Sequence, residues 1–557
     1  MTGNHKKIFF SMFLLWFLVN ITQAICTEIL SDEAYYGLFG KYLAWGYFDH
    51  PPMVALLIKI NSLFFNGNMG IRFMTVLLQP FTLFITWEII NDNQPNSDKV
   101  LSFFIIAASI CMFSIYGFIT SPDVPLLFFT AFFLYSYKKY LADQSWKNVF
   151  ILSLSMACLV YSKYQAVLVI GLVVLSNLKL LKTYRFWISG ICALILMIPN
   201  ISWQIANDYP SLKYHLIDRS EEFKWVYFLE YLPYQMAVFN PLILGAVFYV
   251  IVKNKVTEMF DRSLYFLIIG FIGFFWLMAF RGHVEPHWTI ACSVPMIILI
   301  YNNSIVNLKM FRFIRKALLP SLLFLLVMRI FIVSDLPVVK SLSFNGKKEK
   351  YKYIESVAKD LPVLFLGSFP KPSLYSFFTG KEGIAINSLY SRKTQFDIWQ
   401  FEKKYNNKPV FICGFGEGDS KLYEKDGFKF YGYATDSLQT VNRIGIAVYP
   451  RIKIMHSGDS LALNLILTNT YEYDIDFNHR KFPVKIYMAF LKGREINLFP
   501  ATLREPVGII SRGETIKRTF STKVPDLTVG EYHFGICLLT LMGPAINDSF
   551  SVIKLVK

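Results

Sequence analysis

The residues most able to do chemistry sit in a 29-residue stretch, "DEAYYGLFGKYLAWGYFDHPPMVALLIKI", at positions 32–60. Asp32 and Glu33 are adjacent carboxylates, and Asp49 stands beside His50. Tyr36 is one of several aromatics between them. Another acid, Asp123, lies between two prolines in "SPDVP". A pair of carboxylates suits general-base chemistry, one acid taking a proton and its partner positioning the site. Both also suit the start of a helix, where acids cap free N–H groups and complement the dipole. Residue types alone do not separate these readings. Cations recur in the same way. Lys163 lies in "SKYQ" between two apolar runs, as a snorkelling lysine or as a phosphate ligand. His215 and Arg219 in "KYHLIDRS" are four apart and would share a helical face. In "RGHVEPHW", Arg281 and His287 are donors suited to an anion. His283, Glu285 and His287 alternate, so a divalent metal is admitted if the stretch is extended, but no fourth ligand is visible.

These residues are carried by a very apolar chain. Of 557 residues, 54% are hydrophobic, and mean hydropathy is +0.40. Long uncharged runs make it a polytopic α-helical membrane protein. The first run, following Lys6 and Lys7, exceeds a signal-peptide core and reads as a retained helix. Eleven spans are expected, near 8–25, 69–91, 100–119, 124–140, 148–162, 164–181, 186–203, 229–252, 263–280, 288–304 and 317–334. The short segment 51–66 reads as interfacial. With the N-terminus inside, short cytoplasmic loops carry sixteen Lys and Arg and the opposite loops eight, which fixes that orientation. The net charge of +17 is then loop bias and affinity for anionic lipid, with no nucleic-acid partner. An odd span count places everything after residue 335 outside. Five external loops thereby bring Asp, Glu, Lys, His and Arg to one membrane face.

The blocks "DEAYY", "WGYFDHPPMVALLIKI", "TSPDVPLLFF", "SKYQAVL", "NDYPSLKYHL" and "EPHWT", in this order over residues 1–335, resemble the bacterial branch of the GT-C glycosyltransferases. That family includes the dolichyl-phosphate-mannose protein mannosyltransferases (family 39) and the aminoarabinose transferase acting on lipid A. The resemblance implies a sugar transferase of the plasma (inner) membrane using a polyprenyl-phosphate sugar donor at the extracytoplasmic face. It implies Asp32 as the base of an inverting transfer and Asp123 as a catalytic partner. Glu33, Tyr36, His50, Lys163, His215, Arg219, Arg281 and His287 would then bind substrate. No cofactor is specified beyond the divalent metal admitted above. The acceptor stays open between lipid A or lipopolysaccharide, another glycan, and protein.

A transporter or flippase of lipid-linked saccharides is the competing reading. It would place charges near the bilayer midplane and show inverted repeats, and neither is visible. A lipid-phosphatase-like enzyme would need a phosphate motif with a histidine nucleophile, a setting His50 and His287 lack. After residue 335 the composition becomes that of a soluble protein. Residues 345–445 read as a small α/β domain, with "PVLFLG" and "KPVFICGFG" as buried strands and "SRKTQFDIWQFEKKYNN" as a helix. Residues 446–557 read as an immunoglobulin-like β-sandwich, turning at Ser457-Gly458-Asp459. The cluster "GFGEG" lacks the helix context of a nucleotide fingerprint.

Overall fold

A computed structural model describes residues 4–219, 223–256, 258–334, 345–414, 420–493, 495–545, 547 and 550–557. The chain divides into two compact units, Met1–Lys347 and Lys348–Lys557.

Among the described residues the regular elements of the first unit are all helices. Its N-terminal half runs α1 (Asn4–Cys26), α2 (Ser31–Lys41), α3 (Met53–Ser62), α4 (Gly67–Ile90), α5 (Ser97–Ser109), α6 (Cys111–Ile115), α7 (Asp123–Ala142), α8 (Trp146–Ser162), α9 (Ala166–Ser176) and α10 (Tyr184–Ala206). After a single turn, α11 (Pro210–Lys213), come α12 (Trp225–Phe239), α13 (Pro241–Lys253), α14 (Met259–Met278), α15 (Ser293–Val306), α16 (Leu308–Phe313) and α17 (Leu319–Val333). Every apolar segment expected to span is helical at least in part. Among the described residues six are able to cross by length and composition: α1, α4, α10, Met259–Arg281, Pro286–Val306 and Leu308–Val333. The pair α12–α13 passes jointly but is bent by 99° at Asn240, so it counts as one broken span at most. The expected eleven is therefore not reproduced on this criterion. Crossing the hydrocarbon takes about 20 helical residues; of the four other expected spans three fall short, and the fourth, α7, has 20 residues but does not pass on composition. The segment 100–119 breaks at Ile110, which is extended, while α8 has 17 residues and α9 has 11. Within the bundle, 83% of the most apolar 18-residue stretch of Pro286–Val306 is buried and 6% of that of Leu308–Val333, so the former is central and the latter peripheral.

Two buried arginines inside the bundle are each held by several acceptors. Arg72 of α4 and Glu33 of α2 are both 0% exposed and form a two-pronged ion pair, Nε–Oε1 2.7 Å and Nη2–Oε2 2.5 Å. The Arg72 guanidinium also donates to the carbonyls of Ala24, Thr27 and Glu28, which closes the end of α1. Arg329 of α17 donates to Asn20 Oδ1 (3.0 Å), to Ser114 Oγ (3.1 Å) and to the Ser114 carbonyl. Arginine satisfies several acceptors at once through its planar fork, which is why it serves here.

The second unit opens with a helix, α18 (Lys347–Ala358), begun at the boundary residue, and a five-stranded sheet. Its strands are β1 (Val363–Leu366), β2 (Gly383–Ile386), β3 (Val410–Cys413), β4 (Lys421–Lys425) and β5 (Phe428–Thr435), in the order β2-β1-β3-β5-β4. β1 is parallel to both β2 and β3, and β5 pairs antiparallel with β3 and β4. The expected strands at "PVLFLG" and "KPVFICG" are β1 and β3. The helix expected at 391–407 is only Gln395–Trp399 followed by a tighter turn, Phe401–Tyr405, because Gln400 is left-handed and ends it. The "GEG" of the glycine cluster lies outside the described residues. Beyond residue 443 a three-stranded antiparallel sheet (Thr515–Lys523, Ser460–Asn469, Ile444–Tyr449) and a six-stranded sheet centred on Lys485–Lys492 and Gly530–Thr540 share one core. Leu465, Leu467 and Phe520 of the first meet Met488, Phe490 and Ile536 of the second in that sandwich.

Candidate active site

The site is assembled by the ends of elements. Asp32 is the second residue of α2, exposed, one residue before the buried Glu33. The helix cap falls on Leu30, whose N–H donates to Glu33 Oε2 (3.0 Å). The cap reading therefore holds for Glu33. Glu33 Oε1 additionally accepts from the N–H of Thr120 (2.9 Å). Its two oxygens thus hold Arg72 and two backbone N–H groups, leaving a carboxylate no acceptor position for a substrate. The expected substrate-binding role of Glu33 is corrected on this ground. It ties α2 to the segment that ends in Asp123.

Asp123 opens α7 and is buried. Lys163, where α8 ends, donates to Asp123 Oδ1 at 2.7 Å. His287 Nε2 lies 3.8 Å from Asp123 Oδ2, and its ring meets Tyr116 edge-on. Lys163 is thus a buried, paired cation and not a snorkelling one. Tyr36 is buried and its hydroxyl stands 3.4 Å from His50 Nε2. Burial pushes that hydroxyl well above its ordinary value, and the carboxylates of Asp32, Asp49 and Asp123 push it further. Two acids of the segment between α1 and α4, and Asp123 at the start of α7, therefore act on one phenol.

Next to this cluster is a cavity of about 940 Å³. One limb is apolar, walled by α8, α9, α10 and α14 through residues such as Val160, Leu168, Leu194, Met197 and Phe274. The other end carries Asp49, His50, Lys163, His215, Arg219 and Arg281. His215 and Arg219 come from a π-turn over Tyr214–Asp218, closed by the Arg219 N–H on the Tyr214 carbonyl at 3.2 Å, and not from the expected α-helical face. Such wide turns recur at functional sites. His215 Nε2 lies 3.1 Å from the Asp49 carbonyl. Its imidazole titrates below the ordinary value, chiefly through burial. Arg219 donates to Glu285 (2.8 Å) and stacks 4.6 Å over Trp288, which fixes its plane.

The structure separates His283, Glu285 and His287. Pro286 starts a 3₁₀ turn, so His287 faces Asp123 while Glu285 takes Arg219 and lies 3.9 Å from His283. Among the described residues no three His, Cys, Asp or Glu side chains come together to hold a metal. Of the expected site residues, His50, Lys163, His215, Arg219 and Arg281 line the cavity. Asp32, Tyr36, Asp123 and His287 form the acid cluster beside it, and Glu33 sits behind it. Sequence reasoning passed over Arg72, Arg329 and Tyr116. The two arginines left a signal, a charge inside an apolar run. Tyr116 left none.

The dolichyl-phosphate-mannose-protein mannosyltransferase family model matches residues 49–203. No curated protein matches the chain by sequence. Among solved structures, ArnT from Cupriavidus metallidurans in the apo state superposes with a TM-score of 0.54 at 11% identity, over 76% of this chain and 97% of that one. The same protein bound to undecaprenyl phosphate gives 0.51 at 12% identity, with the same coverage. The S. cerevisiae protein O-mannosyltransferase Pmt1-Pmt2 complex bound to the sugar donor matches in part, at 16% identity and a TM-score of 0.28, over 43% of this chain and 37% of that one. The chain is a multi-pass membrane protein with the GT-C fold of membrane glycosyltransferases, as its sequence blocks implied.

Proposed function

We propose that this protein moves a sugar from a polyprenyl-phosphate donor to an envelope acceptor, at the extracytoplasmic face of the plasma (inner) membrane. One observation carries the reading: a single cavity joins an apolar limb to a cationic end. A polyprenyl-phosphate sugar has the same polarity, an apolar chain ending in an anion. Arg219, Arg281 and His215 stand where the phosphate would lie. Lys163 is shared with Asp123 and adds field there more than a free contact. Donors aimed at a developing anion are among the largest catalytic contributions.

In this reading Asp32 takes the proton of an acceptor hydroxyl. The acceptor oxygen attacks the anomeric carbon in line, the bond from that carbon to the phosphate oxygen breaks, and the configuration inverts. The electron pair leaves with the polyprenyl phosphate, which the cations receive. Asp123 holds Lys163 and lies beside His287, so it works as the electrostatic hub and Asp32, the exposed acid, as the base. The acceptor is lipid A or lipopolysaccharide, another envelope glycan, or a protein.

The test is mass spectrometry of envelope glycolipids and glycoproteins from a strain lacking the gene, complemented with wild type or Asp32→Asn. A sugar-sized mass lost on deletion and restored only by wild type is expected. In a transfer assay Asp32→Asn should lose about 10²–10⁴-fold in rate. Full restoration by Asp32→Asn at equal expression would overturn the base assignment. A lipid-linked saccharide that moves across vesicles without being cleaved would instead establish a flippase.

A further inference from the structure

One buried cation lacks a counter-charge. Arg72, Lys163 and Arg219 each hold a carboxylate. Arg329, 9% exposed on α17, holds none among the described residues. A guanidinium has five N–H donors. Nη2 directs its two to Asn20 Oδ1 (3.0 Å), Ser114 Oγ (3.1 Å) and the Ser114 carbonyl. Nε and Nη1 carry the other three and make no hydrogen bond among the described residues. Neither nitrogen is sealed, each keeping some accessible surface. Phe118 lies against the guanidinium at 5.0 Å. The backbone is held too, because the Gln23 amide donates to the Arg329 carbonyl at 3.1 Å. Arg329 does not line the cavity described above. Its neighbours on α17, Leu326, Val327 and Ile330, are exposed, so its open surface lies on the flank of the bundle that meets lipid. Val333 ends the helix four residues on, about 6 Å along the axis. A snorkelling arginine would extend to the headgroups for its partners. This one is anchored inward, on Asn20 of α1 and Ser114 of α6. An intramembrane cation without an anion is costly, and donors without acceptors add to that cost. An anion that comes from the bilayer and accepts from Nη1 or Nε would offset both.

We propose that Arg329 is a second lipid site, separate from the cavity, which takes the phosphate of a lipid lying against α17. Phosphate is the anion that the headgroup layer supplies, and a charge-assisted bond to guanidinium is among the stronger hydrogen bonds. The lipid belongs to the leaflet at the C-terminal end of α17, the outer one in the proposed orientation. Its phosphate comes from a bulk anionic phospholipid or from a phosphorylated glycolipid. The site rests neither on the sugar donor nor on the transfer reaction.

The experiment measures binding of three probes to the full-length protein in a neutral detergent, by native mass spectrometry: dioleoylphosphatidylglycerol, lipid A and dioleoylglycerol, which has no phosphate. Wild type should bind at least one phosphate lipid about tenfold more tightly than dioleoylglycerol, the worth of one hydrogen bond to a charged group. Arg329→Gln should erase that preference and leave binding of dioleoylglycerol unchanged. Tighter binding of phosphatidylglycerol identifies a bulk phospholipid as the source, and tighter binding of lipid A a phosphorylated glycolipid. Equal binding of all three by wild type would overturn the site, and so would a phosphate preference that survives in folded Arg329→Gln. If Arg329→Gln fails to fold, Asn20→Asp carries the same prediction. It keeps the arginine and sets a carboxylate where the amide oxygen now lies 3.0 Å from Nη2. The preference should then fall likewise, because the counter-charge is supplied from within, and an undiminished preference would overturn the proposal.

Discussion

At the scale of single residues, two neighbours with the same charge have opposite occupations. Asp32 is exposed at the cluster, and Glu33 is sealed against Arg72. Breaking a buried ion pair from one side strands the other charge, at a cost of about 3–5 kcal/mol. Arg72→Ala and Glu33→Gln should each lower thermal stability in detergent by that order, whereas Asp32→Asn should leave it within about 0.5 kcal/mol. Unchanged melting of Glu33→Gln would remove the structural role assigned here. His215 adds a pH dependence. Burial lowers its folded value, opposed by the Asp49 carbonyl and carboxylate and aided by Arg219 and Lys163. The unfolded imidazole titrates near 6.5. Its contribution is therefore fully present above about pH 6.5 and is lost as pH falls through the lower folded value. Melting temperature followed from pH 7.5 to 5 should fall less steeply in His215→Gln than in wild type.

At the scale of elements, the apolar limb depends on helices that leave space between them. Gly171 of α9 and Gly190 of α10 both line the cavity, and a Cβ at either would meet open space. Replacing a helical glycine raises helix propensity by up to about 1 kcal/mol. Gly190→Leu should thus keep or raise the melting temperature while weakening polyprenyl-phosphate binding by about tenfold or more. Loss of both would point to a packing role for Gly190 instead. The catalytic elements are held more rigidly. Glu33 bonds the Thr120 N–H, and Arg329 bonds Ser114 and Asn20, so the stretch between the break at Ile110 and Asp123 is fastened at both ends. Preorganised groups must be held close to their working geometry, and buried polar contacts behind them do that.

At the scale of the whole molecule, the proposed orientation puts the acid cluster and the second unit outside. Asp208, in the loop after α10, is exposed, as is Asn93 in the loop after α4. In a chain whose exposed Cys26 is replaced, Asp208→Cys should react with a membrane-impermeant thiol reagent in osmotically opened cells, and Asn93→Cys only after the inner membrane is breached. The reverse pattern would invert the topology.

The sequence by itself determined the class of the molecule and which loops carry its chemistry. Hydropathy and the distribution of Lys and Arg are summed over many residues, so they survive local error. The same holds for β1, β3 and the sandwich strands, whose alternation or apolar runs are local. The convergence of Asp32, Asp123, Lys163 and His287 was legible only as separate loops assigned to one face. Their pairing, Asp123 with Lys163 and Glu33 with Arg72, joins positions 40 and 39 residues apart, and no local pattern encodes a contact across the bundle. Span number also escaped, because an apolar run of given composition serves equally as a full crossing, a broken one or a short packed helix. The π-turn at His215 and the amide of Gln204 on α10 were decided last of all. The His215 ring meets the Asp49 carbonyl and the Gln204 amide meets Ser211, partners that only the packed chain brings within hydrogen-bond reach.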